Sequence, residues 1–204
     1  MKEVLFILLG YLSGSVLYAY YLPLWFLKLD VTQGARDQNP GAFNCIRRAG
    51  WPMGLLALAC DIAKGALPVL WARHAVDMSA WYFALVLSAP VVGHAFSVFR
   101  HFRGGKAIAV SFGVLAGLLP LWQPIALLAV CYLFFSCVVR ISPNRCRSIV
   151  TYVCFAALSI VWPRGRMVAA GCVLISAIVI ARHLFSEEAP EAFTASLGLS
   201  RRER

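Results

Sequence analysis

Charge is scarce in this 204-residue chain, and acidic charge most of all. Nine Asp and Glu stand against nineteen Lys and Arg, and charged residues make up only 14%. A soluble domain carries about 25% charged and about 45–50% apolar residues, whereas 61% of this chain is hydrophobic. The shortage excludes an ordinary soluble domain. None of the seven cysteines forms a C-x-x-C pair, and most lie in apolar runs. They read as small packing residues, with no disulfide framework and no zinc site expected. No internal repeat stands out, which argues against a transporter built from inverted repeats. Despite the net charge of +10, no basic and aromatic surface domain exists to carry nucleic acid. A cleavable-signal pattern is missing too: the first apolar run, 4–27, exceeds the ~7–15 residues of a signal core and reads as a retained span.

What remains is oil punctuated by base. Seven apolar segments can be counted, at about 4–27, 51–72, 80–99, 107–119, 121–139, 148–162 and 167–181. A span needs ~20 residues to cross a ~30 Å hydrocarbon core, so the shorter fourth, sixth and seventh require thinning or snorkelling flanks. The division at "LLPLW" leaves 107–139 as either one broken helix or two. With all seven spanning and the N-terminus outside, the inner segments 28–50, 100–106, 140–147 and 182–204 hold fourteen Lys and Arg, and the outer segments four. An even number of spans spoils that asymmetry. The expected fold is an all-α integral membrane protein: one polytopic domain over 1–204, seven transmembrane helices, N-terminus outside and C-terminus cytoplasmic.

Three polar clusters fall on the inner side: "GARDQNPGAFNCIRRAG" (34–50), "GHAFSVFRHFRGGKAIA" (93–109) and "ARHLFSEEAPE" (181–191). The loop 28–50 is polar and rich in turn formers, as functional loops are. Arg103-Gly104-Gly105-Lys106 opens the fourth span. Glycines admit close backbone approach, a helix N-terminus adds partial positive charge and Lys106 a full one, which together make an anion site, most naturally for phosphate. A tight loop with interfacial anchors explains the same residues. His94 is by itself a structural hydrogen-bonder as readily as a catalyst, Arg47 and Arg48 can anchor the second span, and Asn39 and Asn44 flank a Pro-Gly turn. Asp61 and Lys64, three apart inside the second span, can neutralise each other.

Taken in order, "NPGAFNCIRRAG", "DIAKGALPVL" and "VVGHAFSVFRHFRGGKAIAVSFGVLAGLLP" resemble the motifs of the bacterial acyl-phosphate:glycerol-3-phosphate acyltransferases, the PlsY type. The resemblance runs from about residue 13 to 120 and more faintly through "ARH" at 181–183. It implies transfer of a fatty acyl group from acyl phosphate to the hydroxyl of glycerol 3-phosphate at the cytoplasmic face of the plasma (inner) membrane, for phospholipid synthesis. No metal, cofactor or acyl-enzyme is implied; the partners are the two substrates and membrane lipids. By the same resemblance Arg47, Lys106, Gly104, Gly105, Asn39, Asn44 and His183 bind substrate phosphate and His94 and Lys106 serve catalysis; Ser186 and Asp37 are candidates for the same two roles because they occupy site positions of the family with altered residues.

The departures carry information. Arg36, Asp37, Gln38 and Asn39 stand where the family reads G-S-G-N, Phe43 replaces the threonine of G-A-T-N, and "HLFS" replaces H-R-E-N, so Ser186 stands for an asparagine. A carboxylate ~4 Å from a phosphate charge costs ~4 kcal/mol per charge pair at an effective dielectric of ~20. Asp37 therefore turns toward Arg36 or Arg47, or is a base for the attacking hydroxyl, or serves a different acceptor. Acyl transfer to another acceptor, and an inactive relative that only binds lipid phosphate, are the competing readings.

Overall fold

The first apolar run is not one helix. The computed structural model describes residues 1–35, 37–161, 165–186 and 192–197. In it, α1 (Lys2–Ser15) and α2 (Tyr18–Leu27) meet at a bend of 46°. Hydropathy is blind to this break because both sides are equally apolar. In a bilayer, the backbone groups that a break frees must find partners. The carbonyl of Ser15 accepts from Ser97 Oγ at 2.6 Å, and that of Val16 accepts from the ammonium of Lys64 at 2.5 Å.

The chain continues through a polar loop into the short α3 (Ala42–Ala49) and then α4 (Trp51–Ala75). Pro52 sits in the first turn of α4, where its missing N–H costs nothing. α5 (Tyr82–Ala95), α6 (Ile108–Ala116), α7 (Gln123–Leu133), α8 (Asn144–Val161) and α9 (Arg166–Leu184) complete the helices. α6 and α7 are separate, so the segment 107–139 is two helices, with a π-helical turn at Phe134–Val138 closing the second. The expectation of an all-α fold needs one correction. Val139–Ser142 (β1) pairs antiparallel with Thr194–Leu197 (β2), Val139 opposite Leu197 and Ser142 opposite Thr194. β1 begins at the last residue of the fifth apolar run and β2 lies beyond the seventh, where hydropathy carries no strand signal.

Every expected apolar segment contains helix. Among the described residues, three helices are long and apolar enough to cross a membrane alone (Trp51–Ala75, Tyr82–Arg100 and Arg166–Leu184), and four if the bent first pair is one span. α6, with nine residues, is about 14 Å long at 1.5 Å per residue, less than half of a ~30 Å core.

Small residues set the helix contacts. A Cβ on Gly14 of α1 or Gly93 of α5 would run into the other helix's main chain, and one on Gly65 of α4 or Gly113 of α6 into main chain across that pair. Backbone-to-backbone approach of this kind substitutes for a hydrophobic drive that lipid does not provide. The core joins α4, α5, α6, α8 and α9 through Val69, Leu87, Val114, Tyr152 and Ile175. Large apolar side chains such as Leu8, Leu56, Val130 and Ile160 point outward, as lipid-facing residues do.

Candidate active site

The ends of separate helices enclose one large cleft of about 1610 Å³. Its walls come from the loop before α3, from α3, from α4, from the end of α5, from the start of α6, and from the start of α8 and end of α9. Ligand sites usually run to ~300–1,000 Å³, so there is room here for more than one small molecule. Asp37, Asn39, Asn44, Arg47, His94, Lys106 and His183 all line it. All but His94, at the end of the third apolar segment, come from segments that the charge pattern groups on one side, and 140–147 adds Pro143 to Arg147 to the same wall.

The centre of the cleft is an ion pair. Lys106 Nζ lies 2.7 Å from Asp37 Oδ2, with side-chain exposures of 16% and 18%. The other carboxylate oxygen, Oδ1, accepts from Asn44 Nδ2 at 2.8 Å and from the backbone N–H of Asn39 at 3.3 Å. Asn44 Nδ2 also donates to the Asn39 carbonyl at 2.9 Å. Burial pushes the Asp37 carboxyl up, but the hydrogen bonds from Lys106 and Asn44, the Lys106 charge and the Asn39 N–H outweigh it and hold the group below the usual carboxylate range. Asp37 thus turns to Lys106, not to Arg47; Arg36, the other partner considered, lies outside the described residues. Gln38, where the family carries glycine, has φ +45° and an exposed side chain.

The glycine pair works differently from the expected cradle. The N–H of Gly105 donates to the His94 carbonyl at 2.9 Å, so it does not face the cleft. A Cβ on Gly104 would meet the carbon of Ala95 at 2.5 Å, and one on Gly105 would strike the His94 ring. Neither glycine lines the cleft. Their role in this fold is to let the loop press against the end of α5, which fixes Lys106 beside Asp37. From the other side, Arg182 of α9 donates Nη2 to the Gly104 carbonyl at 2.9 Å and Nε to the Gly105 carbonyl at 3.3 Å. Its guanidinium also lies 5.6 Å from the Phe96 ring centre. Sequence reasoning counted Arg182 only as inner-side charge; its place next to the "ARH" histidine was the available signal.

His94 is 3% exposed, and its Nδ1 has no hydrogen-bond partner among the described residues. His183 is 1% exposed with Nδ1 2.8 Å from the Val179 carbonyl. Ser186 does not reach the cleft: its Oγ donates to the His183 carbonyl at 2.9 Å, closing the end of α9. Arg47 lies over the Phe43 ring at 5.8 Å, so the residue in place of threonine becomes a platform for a cleft arginine. Arg145 and Arg147 at the start of α8 also line the cleft, and Arg145 donates to the Leu184 carbonyl at 2.7 Å. Neither was singled out from sequence, where they appeared only as anchoring charge. Among the described residues no three His, Cys, Asp or Glu side chains gather as metal ligands.

At the cleft wall, Asp61 Oδ1 meets the Lys64 ammonium at 2.7 Å as an ion contact rather than an aligned hydrogen bond, both side chains at 2% exposure or less. Because Lys64 also bonds to Val16, this pair ties α4 to the break between α1 and α2. The structural reading of the two residues has direct contacts behind it.

Lipid-facing helices around a cleft rich in positive charge define an integral membrane protein with a basic cleft at the end of its bundle. The family described as Glycerol-3-phosphate acyltransferase matches residues 4–186, and the chain belongs to that family. Curated relatives carry the same name, among them three from different genera. The one from Desulfovibrio desulfuricans is 38% identical over 135 residues, 65% of this chain and 58% of its own. The one from Pseudomonas paraeruginosa is 41% identical over 122 residues, 60% and 62% of the two chains. The one from Solidesulfovibrio magneticus is 32% identical over 183 residues, 90% and 88%. The first two alignments thus span about three fifths of those relatives' length. Two crystal structures of PlsY, an integral membrane glycerol 3-phosphate acyltransferase, share the fold at 25% identity. The glycerol 3-phosphate form has a TM-score of 0.77, covering 90% of this chain and 89% of that one, and the lysophosphatidic acid form 0.74, covering 90% and 88%.

Proposed function

We propose that this protein transfers a fatty acyl group from acyl phosphate to the hydroxyl of glycerol 3-phosphate, giving lysophosphatidic acid and inorganic phosphate. The observation that carries the reading is the convergence of Asn39, Asn44, Arg47, His94, Lys106 and His183 on one cleft in a chain of this family. Both substrates bring a phosphate, and the cleft offers Lys106, Arg47, Arg145 and Arg147 to hold them. The new ester bond forms between the attacking oxygen and the acyl carbon. The bond from that carbon to the phosphate oxygen breaks, with its electron pair leaving on phosphate, which takes up the proton that the hydroxyl gives up. Such a reaction needs positioning and charge stabilisation more than a strong nucleophile. The apolar wall supplied by Ile62, Ile108, Phe112 and Ile149 suits an acyl chain.

The same reading places the chain as one polytopic domain with seven spans, N-terminus outside, in the bacterial inner membrane with the cleft at the cytoplasmic face. It is supported by the fourteen-to-four charge asymmetry and by the meeting of the four basic segments at one end. A second reading, transfer to a different acceptor, draws support from the Asp37 carboxylate among groups that suit a phosphate.

The test is purified protein with radiolabelled acyl phosphate and a panel of acceptors, glycerol 3-phosphate first. Product that disappears with Lys106→Ala supports the reading. Full activity in that variant defeats it, and product from another acceptor alone selects the second reading.

A further inference from the structure

We propose that Asp37 is a built-in competitor for the phosphate site: its carboxylate occupies the place against Lys106 that a substrate phosphate takes, and the ligand must displace it. The inference rests on the reading of Lys106 as a phosphate-holding residue, and goes beyond it by assigning the residue that sets which anions the cleft accepts.

Three observations carry it. First, the groups around Asp37 are an anion-binding set: an ammonium at 2.7 Å, a side-chain amide at 2.8 Å and a backbone N–H at 3.3 Å. All three residues supplying them, Lys106, Asn44 and Asn39, are ones for which the family resemblance implies contact with substrate phosphate, Asn39 here through its main chain. The protein's own carboxylate fills a set of donors suited to an anion. Second, the exchange is sterically open. Asp37 and Lys106 line the cleft and keep 18% and 16% of their side-chain surface exposed, so the carboxylate can swing away without crossing the core. Third, both cannot stay. A phosphate at Lys106 with Asp37 in place sets like charges within a few ångströms, and that repulsion is strong in a partly buried site. Displacement leaves Asp37 beside a cleft that also presents Arg47 and Arg48.

Selectivity follows from charge. A monoanion offers Lys106 no more than Asp37 already gives, and lacks the tether that makes Asp37's local concentration high. A dianionic phosphate offers twice the charge and more acceptor oxygens. The cleft therefore discriminates for phosphate monoesters and acyl phosphate, against carboxylates such as free fatty acid.

The experiment titrates inorganic phosphate, and separately acetate, into detergent-solubilised wild type, Asp37→Asn, Asp37→Ser and Lys106→Ala. Thermal unfolding shows which proteins remain folded, and the serine variant stands in if the asparagine one does not fold. Both Asp37 variants bind phosphate about tenfold tighter or more than wild type, a change of ~1.4 kcal/mol. Acetate binds measurably only when Asp37 is gone, and Lys106→Ala loses phosphate affinity. Equal phosphate affinity in wild type and both Asp37 variants, still dependent on Lys106, overturns the competitor role and leaves the phosphate site standing. Phosphate affinity that ignores Lys106 in every background removes the site itself, and the proposal with it.

Discussion

Arg182 reaches across 77 and 78 residues to bond the carbonyls of Gly105 and Gly104, so the last helix holds the loop that carries Lys106. Lys106 is placed by packing against α5 on one side and by a guanidinium fork on the other.

Loss of that fork should be felt in substrate handling more than in folding. A hydrogen bond to a charged group contributes about 1.5–3 kcal/mol. Arg182→Ala is expected to lower kcat/KM for glycerol 3-phosphate by about tenfold to a hundredfold, with Arg182→Lys recovering only part because it cannot span both carbonyls. Steady-state kinetics beside thermal unfolding checks this. A variant with unchanged kinetics contradicts the clamp.

The Asp61–Lys64 pair should behave in the opposite way, as a folding element. Lys64→Met strands the Asp61 carboxylate, at 1% exposure, and removes the donor to the Val16 carbonyl at the helix break. Breaking a buried pair from one side costs about 3–5 kcal/mol. The expected result is a large drop in thermal stability in detergent, smaller in the double variant Asp61→Asn with Lys64→Met. Equal losses in single and double variants would show that the two residues are not coupled.

Gln38 tests the backbone of the Asp37 loop. At φ +45° with an exposed side chain, it holds a conformation that β-branched residues resist. Gln38→Val is expected to cost about 1–2 kcal/mol, while Gln38→Gly stays within about 1 kcal/mol of wild type. Chemical or thermal unfolding of the pair gives the answer.

The pH behaviour of the Asp37–Lys106 pair has a definite sign. Asp37 is depressed below its ordinary value, so the stability it contributes is fully present above the unfolded carboxylate value of about 3.9 and is lost as pH falls through the lower folded value. From about pH 5 to 8, the ratio of affinities between Asp37→Asn and wild type for sulfate, which keeps both charges across this range, should stay constant. It should shrink only below about pH 4. Taking the ratio cancels whatever the two proteins share in the rest of the cleft. A ratio that changes near neutrality would mean that Asp37 is not held ionised by Lys106.

Much of the site was legible because its residues lie in short polar clusters that interrupt apolar sequence. Asn39, Asn44, Arg47, His94 and Lys106 could be picked out where the oil stops, and charge asymmetry alone grouped their segments. What stayed hidden depends on contacts between distant parts. No local signal marks the break after Ser15, since residues on both sides are apolar and it exists because Lys64 and Ser97 satisfy its carbonyls. The glycine pair looked like a source of N–H groups, and only the neighbouring α5 terminus reveals it as a packing surface. Arg182, Arg145 and Arg147 were lost in the crowd, because topological charge and site charge use the same residue type on the same side. Asp37 was flagged as the telling departure, yet its partner, 69 residues away, could not be chosen from sequence.

The order of synthesis gives the Arg182 clamp a further meaning. A chain emerges N-terminus first, so Asp37 and Lys106 are made and inserted long before α9, which begins at Arg166. Until α9 enters the bilayer, the Lys106 loop lacks the support of Arg182 and His183 has not reached the cleft. A nascent chain halted before α9 thus carries the charged pair without the finished site, and competence arrives only with completion of the bundle.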